Sequence, residues 1–319
     1  MGPEHALAAI MVLGLVVYVL GGGADFGGGV WDLLARGPRR AEQRALVEHA
    51  IGPIWEANHV WFVFVFVILF SAFPPAFADI TTALFGPLSF YAVGIVLRGS
   101  AFTFRHYTGP GLHKRTFGVV FSVVSVGCPW LLGAMGACLL RPGALRADVD
   151  PFVVASGLFV VALVAALAAT YLTVEAGEDE SLREDFRIRA VGALVVAGAL
   201  SWVAVLAARA SAPSLFAHLA VRGAAAVTTL LGLGGLVAVA KRRFRLARVL
   251  VAGLAASVVV SWAASKGETL ASPAFTMSTS KAHPGTLIVL LVATGIGFVV
   301  LGPSLLLLFS IFGGARRER

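Results

Sequence analysis

The chain has 319 residues, of which 58% are hydrophobic and 13% are charged, and its mean hydropathy is +0.89. A soluble domain carries about 25% charged residues, so this sequence lacks the charge to cover a water-facing surface. The composition argues against a soluble enzyme, a disordered chain and a disulfide scaffold, and it indicates a protein whose outer surface faces lipid.

The net charge of +8 comes from 25 Lys and Arg residues against 17 Asp and Glu residues. The basic residues stand in short clusters between apolar runs, and no basic patch has interleaved aromatic residues, so we expect no nucleic-acid partner. Cys128 and Cys138 would lie about 15 Å apart on one helix, which is too far for a disulfide bond within that helix.

Nine apolar segments have about the 20 residues that a helix needs to cross a bilayer. They lie at residues 6–31, 53–73, 76–101, 117–140, 152–174, 190–208, 219–240, 247–264 and 286–312. We therefore predict an all-α, polytopic membrane protein that forms a single integral membrane domain over residues 1–319. The span count is consistent with two four-helix bundles plus one extra helix.

The orientation of the chain follows from its Lys and Arg residues. The loops after the odd-numbered spans, together with the C-terminus, hold 17 of them, and the opposite side holds 6. Because positive charge marks the cytoplasmic side, we expect the N-terminus outside and the C-terminus in the cytoplasm.

The first three predicted spans hold nearly all of the ionisable residues within the membrane. An ionisable side chain at this depth costs about 2.5–3.5 kcal/mol, so it needs a partner or a function. The residues are Asp25, Glu56, His59, Asp79 and Arg98. Four of them lie toward the cytoplasmic ends of their spans, whereas we expect Asp79 to be a solvated helix start at the outer end.

Two roles fit this cluster. Glu56 and His59 are three residues apart and share a helix face. A nearby Arg98 would favour the ionised form of Glu56 or Asp25, whereas burial would favour the neutral form, and a carboxylate between these opposing effects suits proton transfer. The alternative is a structural ion pair that fixes the packing of the first three helices. We favour proton transfer for Glu56, the structural role for Asp25 and His59, and both roles for Arg98.

Residues 21–29 contain six glycines, each of which costs about 1 kcal/mol relative to alanine in a helix. Gly23 and Gly27 have the small-xxx-small spacing of close helix contacts, so we expect a partner helix, or a helix of this chain, against that face. We place Asn58 with these packing residues. Trp55 and Trp61 fit either an interfacial aromatic belt or a helix contact.

The sequence offers little for a metal or a haem. Of the seven histidines, His59 alone lies within a predicted span, so a bis-histidine pair across two helices is not available. We expect no haem and no metal site in this chain, and we find neither a serine–histidine–aspartate set nor a Walker loop.

Several segments resemble subunit II of the cytochrome bd-type quinol oxidases. They are the glycine-rich stretch 22–29 around Asp25, the stretch 54–61 around Glu56 and His59, the dipeptide at 73–74 and the stretch 94–102 around Arg98. The resemblance is strongest over residues 10–110. Beyond them it rests on the span count, the loop sizes and residues 171–189, which are less specific.

The resemblance implies a haem-free subunit that pairs with a subunit I, which carries haems b and d and the quinol site. Such a complex oxidises quinol, reduces oxygen to water and draws protons from the cytoplasm, in a bacterial inner membrane. The resemblance places an acidic residue of the proton path at Glu56, where some members have aspartate, and an arginine at Arg98. Asp25 matches an acidic position to which no role is attached. No catalytic residue is expected in this chain.

The resemblance leaves open a structural quinone or lipid between the helices and small single-helix accessory subunits. Two other functions also fit the charged residues. A secondary transporter would use Asp25, Glu56 and Arg98 as an ion or substrate site, although such sites usually lie near the midplane at broken helices. A structural scaffold would use the charges only to lock its helices to a partner.

Overall fold

The structure is a computed structural model that describes residues 2–51, 55–109, 111–216 and 219–314. Within these ranges, side chains are not described at residues 51, 55–57, 106, 112, 114, 214, 216, 219, 220 and 305–314. The predictions made for the side chains of Trp55 and Glu56 therefore lie outside the described residues.

The described part of the chain is almost entirely helical, as predicted, and an isolated bridge between Thr269 and Thr276 is its only β-type pairing. The first helices are α1 (Pro3–Leu34), α2 (Arg40–Ile51), α3 (Trp55–Ala72), α4 (Pro74–Ala83), α5 (Phe85–Tyr107) and α6 (Leu112–Cys138). The later ones are α7 (Pro151–Glu175), α8 (Glu180–Ser211), α9 (Leu219–Ala240), α10 (Phe244–Lys266), α11 (Met277–Ser280) and α12 (Pro284–Gly314).

Eight helices of the described residues are long and apolar enough to cross a membrane, and α3 adds the shorter apolar stretch Asn58–Ala72. Two boundaries differ from those predicted. The third predicted span, 76–101, comprises the short helix α4 and the long helix α5, because the chain turns at Leu84. The sixth span, 190–208, is the end of a helix that already begins at Glu180, since hydropathy does not detect a helix that extends into water.

Two aspartates set the starts of α7 and α8. Asp150 accepts a hydrogen bond from the Val153 N–H at 2.8 Å, and proline follows it at the first helical position. Asp179 accepts from the N–H groups of Ser181 and Leu182, each at 3.0 Å. These hydrogen bonds, the one from Leu182 above all, lower the pKa of the Asp179 carboxyl.

The long helices pack as two groups of four, with α12 beside them. In the first group α1 contacts α3 and α6, and α5 contacts α6. In the second group α7 contacts α8 and α10, and α9 contacts α8 and α10. Helix α1 joins the groups by packing on α7 and α10, and α12 lies against α1 and α3. This arrangement agrees with the predicted division of the spans.

The glycines of α1 allow the two groups to approach closely. Gly27 lies directly on the backbone carbonyl of Val164 in α7, where an added methyl group would overlap it. A methyl group at Gly23 would lie 3.3 Å from both Val164 and Leu167. The helix that packs against this glycine face is therefore α7 of the same chain.

Candidate functional site

Asp25 of α1 and Arg98 of α5 form an ion pair inside the first helix group. The side chain of Asp25 is 0% exposed and that of Arg98 is 1% exposed. The two terminal nitrogens of Arg98 donate to one carboxylate oxygen each, both at 2.7 Å, and Nη2 also donates to the Asp25 carbonyl at 3.0 Å. This bidentate geometry is the strongest form of an arginine–carboxylate contact.

The remaining surface of the Arg98 guanidinium is also occupied. Its Nε donates to Ser125 Oγ of α6 at 2.9 Å. Its central carbon lies 5.0 Å from the centre of the Phe26 ring and 4.7 Å from that of Phe121. Since a buried charge is tolerated only when it is paired and hydrogen-bonded, this environment satisfies the polar groups of Asp25 and Arg98 and holds both side chains in place.

A second ion pair lies seven residues further along both helices. Asp32 of α1 is 2% exposed and accepts from Nη1 and Nη2 of Arg105 in α5, each at 3.0 Å. Ser122 of α6 donates to the same carboxylate at 3.1 Å. Arg44 of α2 approaches it at 3.5 Å. A search for charges within apolar windows does not find this pair, because both residues stand near helix ends.

Two tyrosines stand seven residues before the first ion pair. The hydroxyl groups of Tyr18 in α1 and Tyr91 in α5 are hydrogen-bonded to each other, and both side chains are buried. The Tyr18 hydroxyl also lies 3.4 Å from Nδ1 of His59 in α3. Because tyrosine is uncharged, hydropathy and charge give no signal for this pair.

These three pairs form one structure, which we call the polar ladder: Tyr18–Tyr91, Asp25–Arg98 and Asp32–Arg105. The constant spacing means that α1 and α5 run parallel and in register. Seven helical residues rise roughly 10.5 Å, so the polar ladder covers roughly 21 Å from the Leu34 end of α1 to its middle. The repeat of Asp and Arg at a seven-residue interval in two spans is the signal in the sequence that could have revealed it.

Between its three ladder residues, α1 presents only glycines on the same face, at positions 21, 22, 28 and 29. Polar side chains fill two of these places. The Asn58 amide oxygen lies against Gly21, and the Ser125 hydroxyl lies against Gly29, so that a methyl group at either glycine would overlap them. The glycine-rich run thus serves two faces, one for close packing and one that admits polar groups beside the backbone.

Helix α3 carries other predicted residues, of which His59 and Asn58 lie beside the polar ladder. Glu56 stands in the first turn of α3, one turn before His59. The His59 ring is half-buried and meets the Phe26 ring edge-on, with 5.8 Å between the ring centres. Asn58 is 8% exposed, and its Nδ2 has no hydrogen-bond partner among the described residues.

Two predicted residues lie away from the ladder. Trp61 of α3 stacks on Phe298, with 6.2 Å between the ring centres, and so packs α12 against α3. Asp79 of α4 is half-buried and accepts a hydrogen bond from the Ser272 N–H at 3.3 Å. The expectation of a helix start at Asp79 is wrong, because α4 begins at Pro74, whereas the half-buried carboxylate remains partly accessible to solvent.

A cavity of about 640 Å³ opens beside the ladder, between the two helix groups. Its lining is mostly apolar, includes Tyr18, Phe26 and Trp262, and holds no histidine or cysteine among the described residues. The described residues also hold no cluster of three or more His, Cys, Asp or Glu side chains that could bind a metal ion. The described lining therefore does not fit a haem ligand set of the bis-histidine or thiolate type.

The fold and the ladder define a polytopic membrane protein in which paired polar and charged side chains extend from the Leu34 end of α1 to its middle. The profile of the family "Cytochrome bd terminal oxidase subunit II" matches residues 3–312, so the chain belongs to this family. The resemblance that the sequence motifs indicated is thereby confirmed.

One curated relative agrees with this assignment, and one solved structure shares the fold. The chain is 32% identical over 154 residues to the cytochrome bd ubiquinol oxidase subunit 2 of Bacillus subtilis (strain 168). That match covers 47% of this chain and 44% of the relative, so it spans less than half of the relative's length. The structure of bd oxidase from Geobacillus thermodenitrificans contains a chain with the same fold, at a TM-score of 0.82 and 21% identity, over 98% of this chain and 99% of that one.

Proposed function

We propose that this chain is the haem-free subunit II of a bd-type quinol:oxygen oxidoreductase in a bacterial inner membrane. It pairs with a subunit I that carries haems b and d and the quinol site, and it supplies part of a proton path from the cytoplasm to that partner. Family membership supports the pairing. The polar ladder is the observation that supports the proton path.

The ladder is costly for a membrane protein, and this cost argues for a function. Asp25, Asp32, Arg98 and Arg105 place four charges between α1 and α5, although each charge in a span costs about 2.5–3.5 kcal/mol before it is paired. In the described spans of the second helix group, Glu175 of α7 lies 3.7 Å from Arg248 of α10, whose side chain is 45% exposed, and the contacts in the interior are mainly apolar. Helix packing alone therefore does not require ion pairs as deeply buried as those of the ladder.

The contacts divide the roles within the path. Asp25 is held by two short hydrogen bonds from Arg98, so protonating it would break a buried ion pair. We assign this pair a fixed electrostatic role, which is to orient water and to favour the ionised form of a nearby acid. Glu56, one turn before His59 in α3, is the group that we assign to carry the proton.

His59, Tyr18 and Tyr91 continue the chain of hydrogen-bonding groups toward the middle of the membrane. Each tyrosine hydroxyl can both donate and accept, and each neutral imidazole has one donor and one acceptor nitrogen. Such groups can pass a proton along without a buried charge. The excess of Lys and Arg in the loops after the odd-numbered spans supports an orientation with the Leu34 end of α1, and thus Asp32, on the cytoplasmic side.

The assignment to an oxidase is tested by purifying the chain from native membranes and recording a visible spectrum together with the subunit composition. Haem bands and a second large subunit are expected. A colourless preparation of the single chain would contradict the assignment and favour a secondary transporter.

The role of Glu56 is tested in the assembled complex by Glu56→Gln, with Glu42→Gln on the exposed face of α2 as the matched control. Loss of a proton-carrying group is expected to lower quinol-supported oxygen consumption by roughly a hundredfold at normal haem content, and the control is expected to retain it. Unchanged oxygen consumption in Glu56→Gln would remove this residue from the path.

A further inference from the structure

The Asp32 carboxylate is held by more elements than any packing role needs. It belongs to α1, and its donors come from α5 through Arg105 and from α6 through Ser122. Arg44 of α2 lies 3.5 Å from Oδ1 and donates to the Asp32 carbonyl from Nε at 3.2 Å and from Nη2 at 3.0 Å. Four helices therefore meet at one buried acid.

Exposure increases outward from this acid. The side chain of Asp32 is 2% exposed, that of Arg105 is 13% exposed and that of Arg44 is 31% exposed. Arg44 thus stands between the carboxylate and water. Toward the interior, Ser122 and Ser125 are one turn apart on α6, and they bind Asp32 and Arg98 respectively. Asp32 is the point at which the ladder meets the surface.

Helix α2, which carries Arg44, is tied to the bundle at two places. One tie is the contact of Arg44 with Asp32. The other is Asp185 of α8, which accepts from Arg39 Nε and Gln43 Nε2, each at 2.9 Å. The same helix is therefore anchored by two aspartates, of which one lies on the ladder and the other lies outside it.

We infer that Asp32 and Arg105 form the cytoplasmic mouth of the proton path and that Arg44 of α2 covers this mouth. The inference rests on the proposed function and deepens it. With Arg44 in place, two guanidinium groups contact the carboxylate and cover it from water. When Arg44 moves away, Asp32 keeps one cation, meets water and accepts a proton at Oδ1 from a hydronium ion, which leaves as water. The neutral acid then gives that proton to the interior chain and returns to the ionised form.

The groups around Asp32 support this order of events. Arg44 and Arg105 are the charged side chains that contact it from α2 and α5, and α6 adds the uncharged Ser122. From α7, the nearest acid, Glu175, lies 3.7 Å from Arg248 of α10. From α8, Arg189 lies over the ring of Trp31, with 5.6 Å to its centre. In the described part of the chain these neighbours are cations or paired, so the position of Arg44 decides whether Asp32 takes up a proton.

The test compares Asp32→Asn with Asp185→Asn in the assembled oxidase. Asp185→Asn weakens the hold on α2 without changing the acid of the mouth. Asp32→Asn removes that acid and leaves the hydrogen bonds from Arg44 to the Asp32 carbonyl in place. Asp32→Asn is expected to slow oxygen consumption roughly tenfold at the alkaline end of the assay range, where protons are scarce, and less at the acidic end. Asp32→Glu restores the profile. Asp185→Asn keeps the wild-type profile. Equal profiles for the two Asn variants would show that Asp32 only holds α2, and would overturn the inference.

A second variant tests the inference even if Asp32→Asn fails to assemble. Arg44→Gln removes the cover, so water reaches the mouth without a movement of Arg44 and the rate is expected to decline at a higher pH than in the wild type. A merely structural role gives no such shift, and its absence would overturn the inference. The Glu56→Gln variant, measured in parallel, distinguishes failure of this inference from failure of the proposed proton path. If Glu56→Gln is impaired while the Asp32 and Arg44 variants behave as wild type, the path stands and its mouth lies elsewhere.

Discussion

The two helix groups of this chain hold their helices together in different ways. In the first group, α1 and α5 are connected by ion pairs and hydroxyl groups that reach across the space between them. In the second group, small apolar residues let the backbones approach: Ala166, Ala168 and Ala169 of α7 are each at most 1% exposed, and Gly235 of α9 lies against Val251 of α10. Small residues are the usual basis of helix association in lipid.

The polar residues of the second group confirm the contrast. Thr170 and Thr173 of α7 are buried, but their hydroxyls donate to carbonyls of their own helix, at 2.8 and 2.7 Å. Both hydroxyl groups are therefore hydrogen-bonded without a partner from another span. The ion pair of the second group, Glu175 with Arg248, is partly exposed, whereas Asp25 and Arg98 are fully buried. Helices of this fold therefore pack without a fully buried ion pair, and we propose that the buried charges of the first group serve proton transfer.

The largest effect is expected where a buried charge loses its partner. Arg98→Met leaves Asp25 ionised and unpaired, and breaking a buried pair in this way costs about 3–5 kcal/mol. We expect a large loss of assembled complex, measured as haem content and as the melting temperature of the purified oxidase.

The matched control is the double variant Asp25→Leu with Arg98→Met, which replaces the pair by apolar groups of similar size. It is expected to recover assembly but not oxygen consumption. If the double variant also regains full activity, the pair is structural and the contrast between the two groups loses its functional meaning.

The next effect tests the packing of the groups against each other. Gly27→Ala places a methyl group on the Val164 carbonyl and is expected to destabilise the complex by about 1–3 kcal/mol. Gly198→Ala, in α8, has open space around it and is expected to stabilise its helix by up to about 1 kcal/mol. Melting curves of the two variants should therefore shift in opposite directions. A neutral Gly27→Ala would show that α1 does not press on α7.

A smaller effect is expected when one buried hydroxyl group is removed from each helix group. Tyr18→Phe removes the hydroxyl that joins Tyr91 and His59, and Thr170→Val removes one that bonds its own helix. Each loss costs about 1 kcal/mol of stability. Oxygen consumption at normal haem content is expected to fall only in Tyr18→Phe. Equal rates in both variants would show that the proton path does not include the hydroxyl group of Tyr18.

The smallest effect concerns the cap of α8. The pKa of Asp179 is lowered, chiefly by the Leu182 N–H, from its ordinary value of 3.8. Its contribution to stability is therefore present above that ordinary value and is lost as the pH falls through the lowered value. In Asp179→Asn the cap remains while the charge is gone, so this part of the pH dependence of the melting temperature should disappear. An unchanged pH dependence would show that Asp179 makes no such contribution.

The sequence predicts the spans and singles out both members of the first ion pair, although it leaves open whether Arg98 acts on Asp25 or on Glu56. Long apolar runs must cross the membrane, and Asp25 and Arg98 stand out within them as charges. Asp32 and Arg105 escape notice because they lie near helix ends, where charge is ordinary. Tyr18 and Tyr91 carry no charge at all. Only the pairing of α1 with α5 in register shows that all six residues belong together.

The helix α2 is also invisible to a search for apolar spans, because it is short and polar. Its role depends on the contact between Arg44 and Asp32. The sequence gives no sign of this contact, because both residues lie outside the middle of the apolar spans. Asp79 shows a boundary error. Its place near the start of an apolar run predicts a helix start, yet the helix begins at Pro74, and the Ser272 N–H of a distant loop donates to the Asp79 carboxylate.

Proton uptake itself is the most direct test of the proposed path. The assembled oxidase, reduced and then mixed with oxygen, can be followed at once by the spectrum of its haems and by a pH-sensitive dye on the cytoplasmic side. In Glu56→Gln the path predicts that electron transfer among the haems keeps its early rate while proton uptake is delayed. Proton uptake at the wild-type rate in this variant would contradict the path.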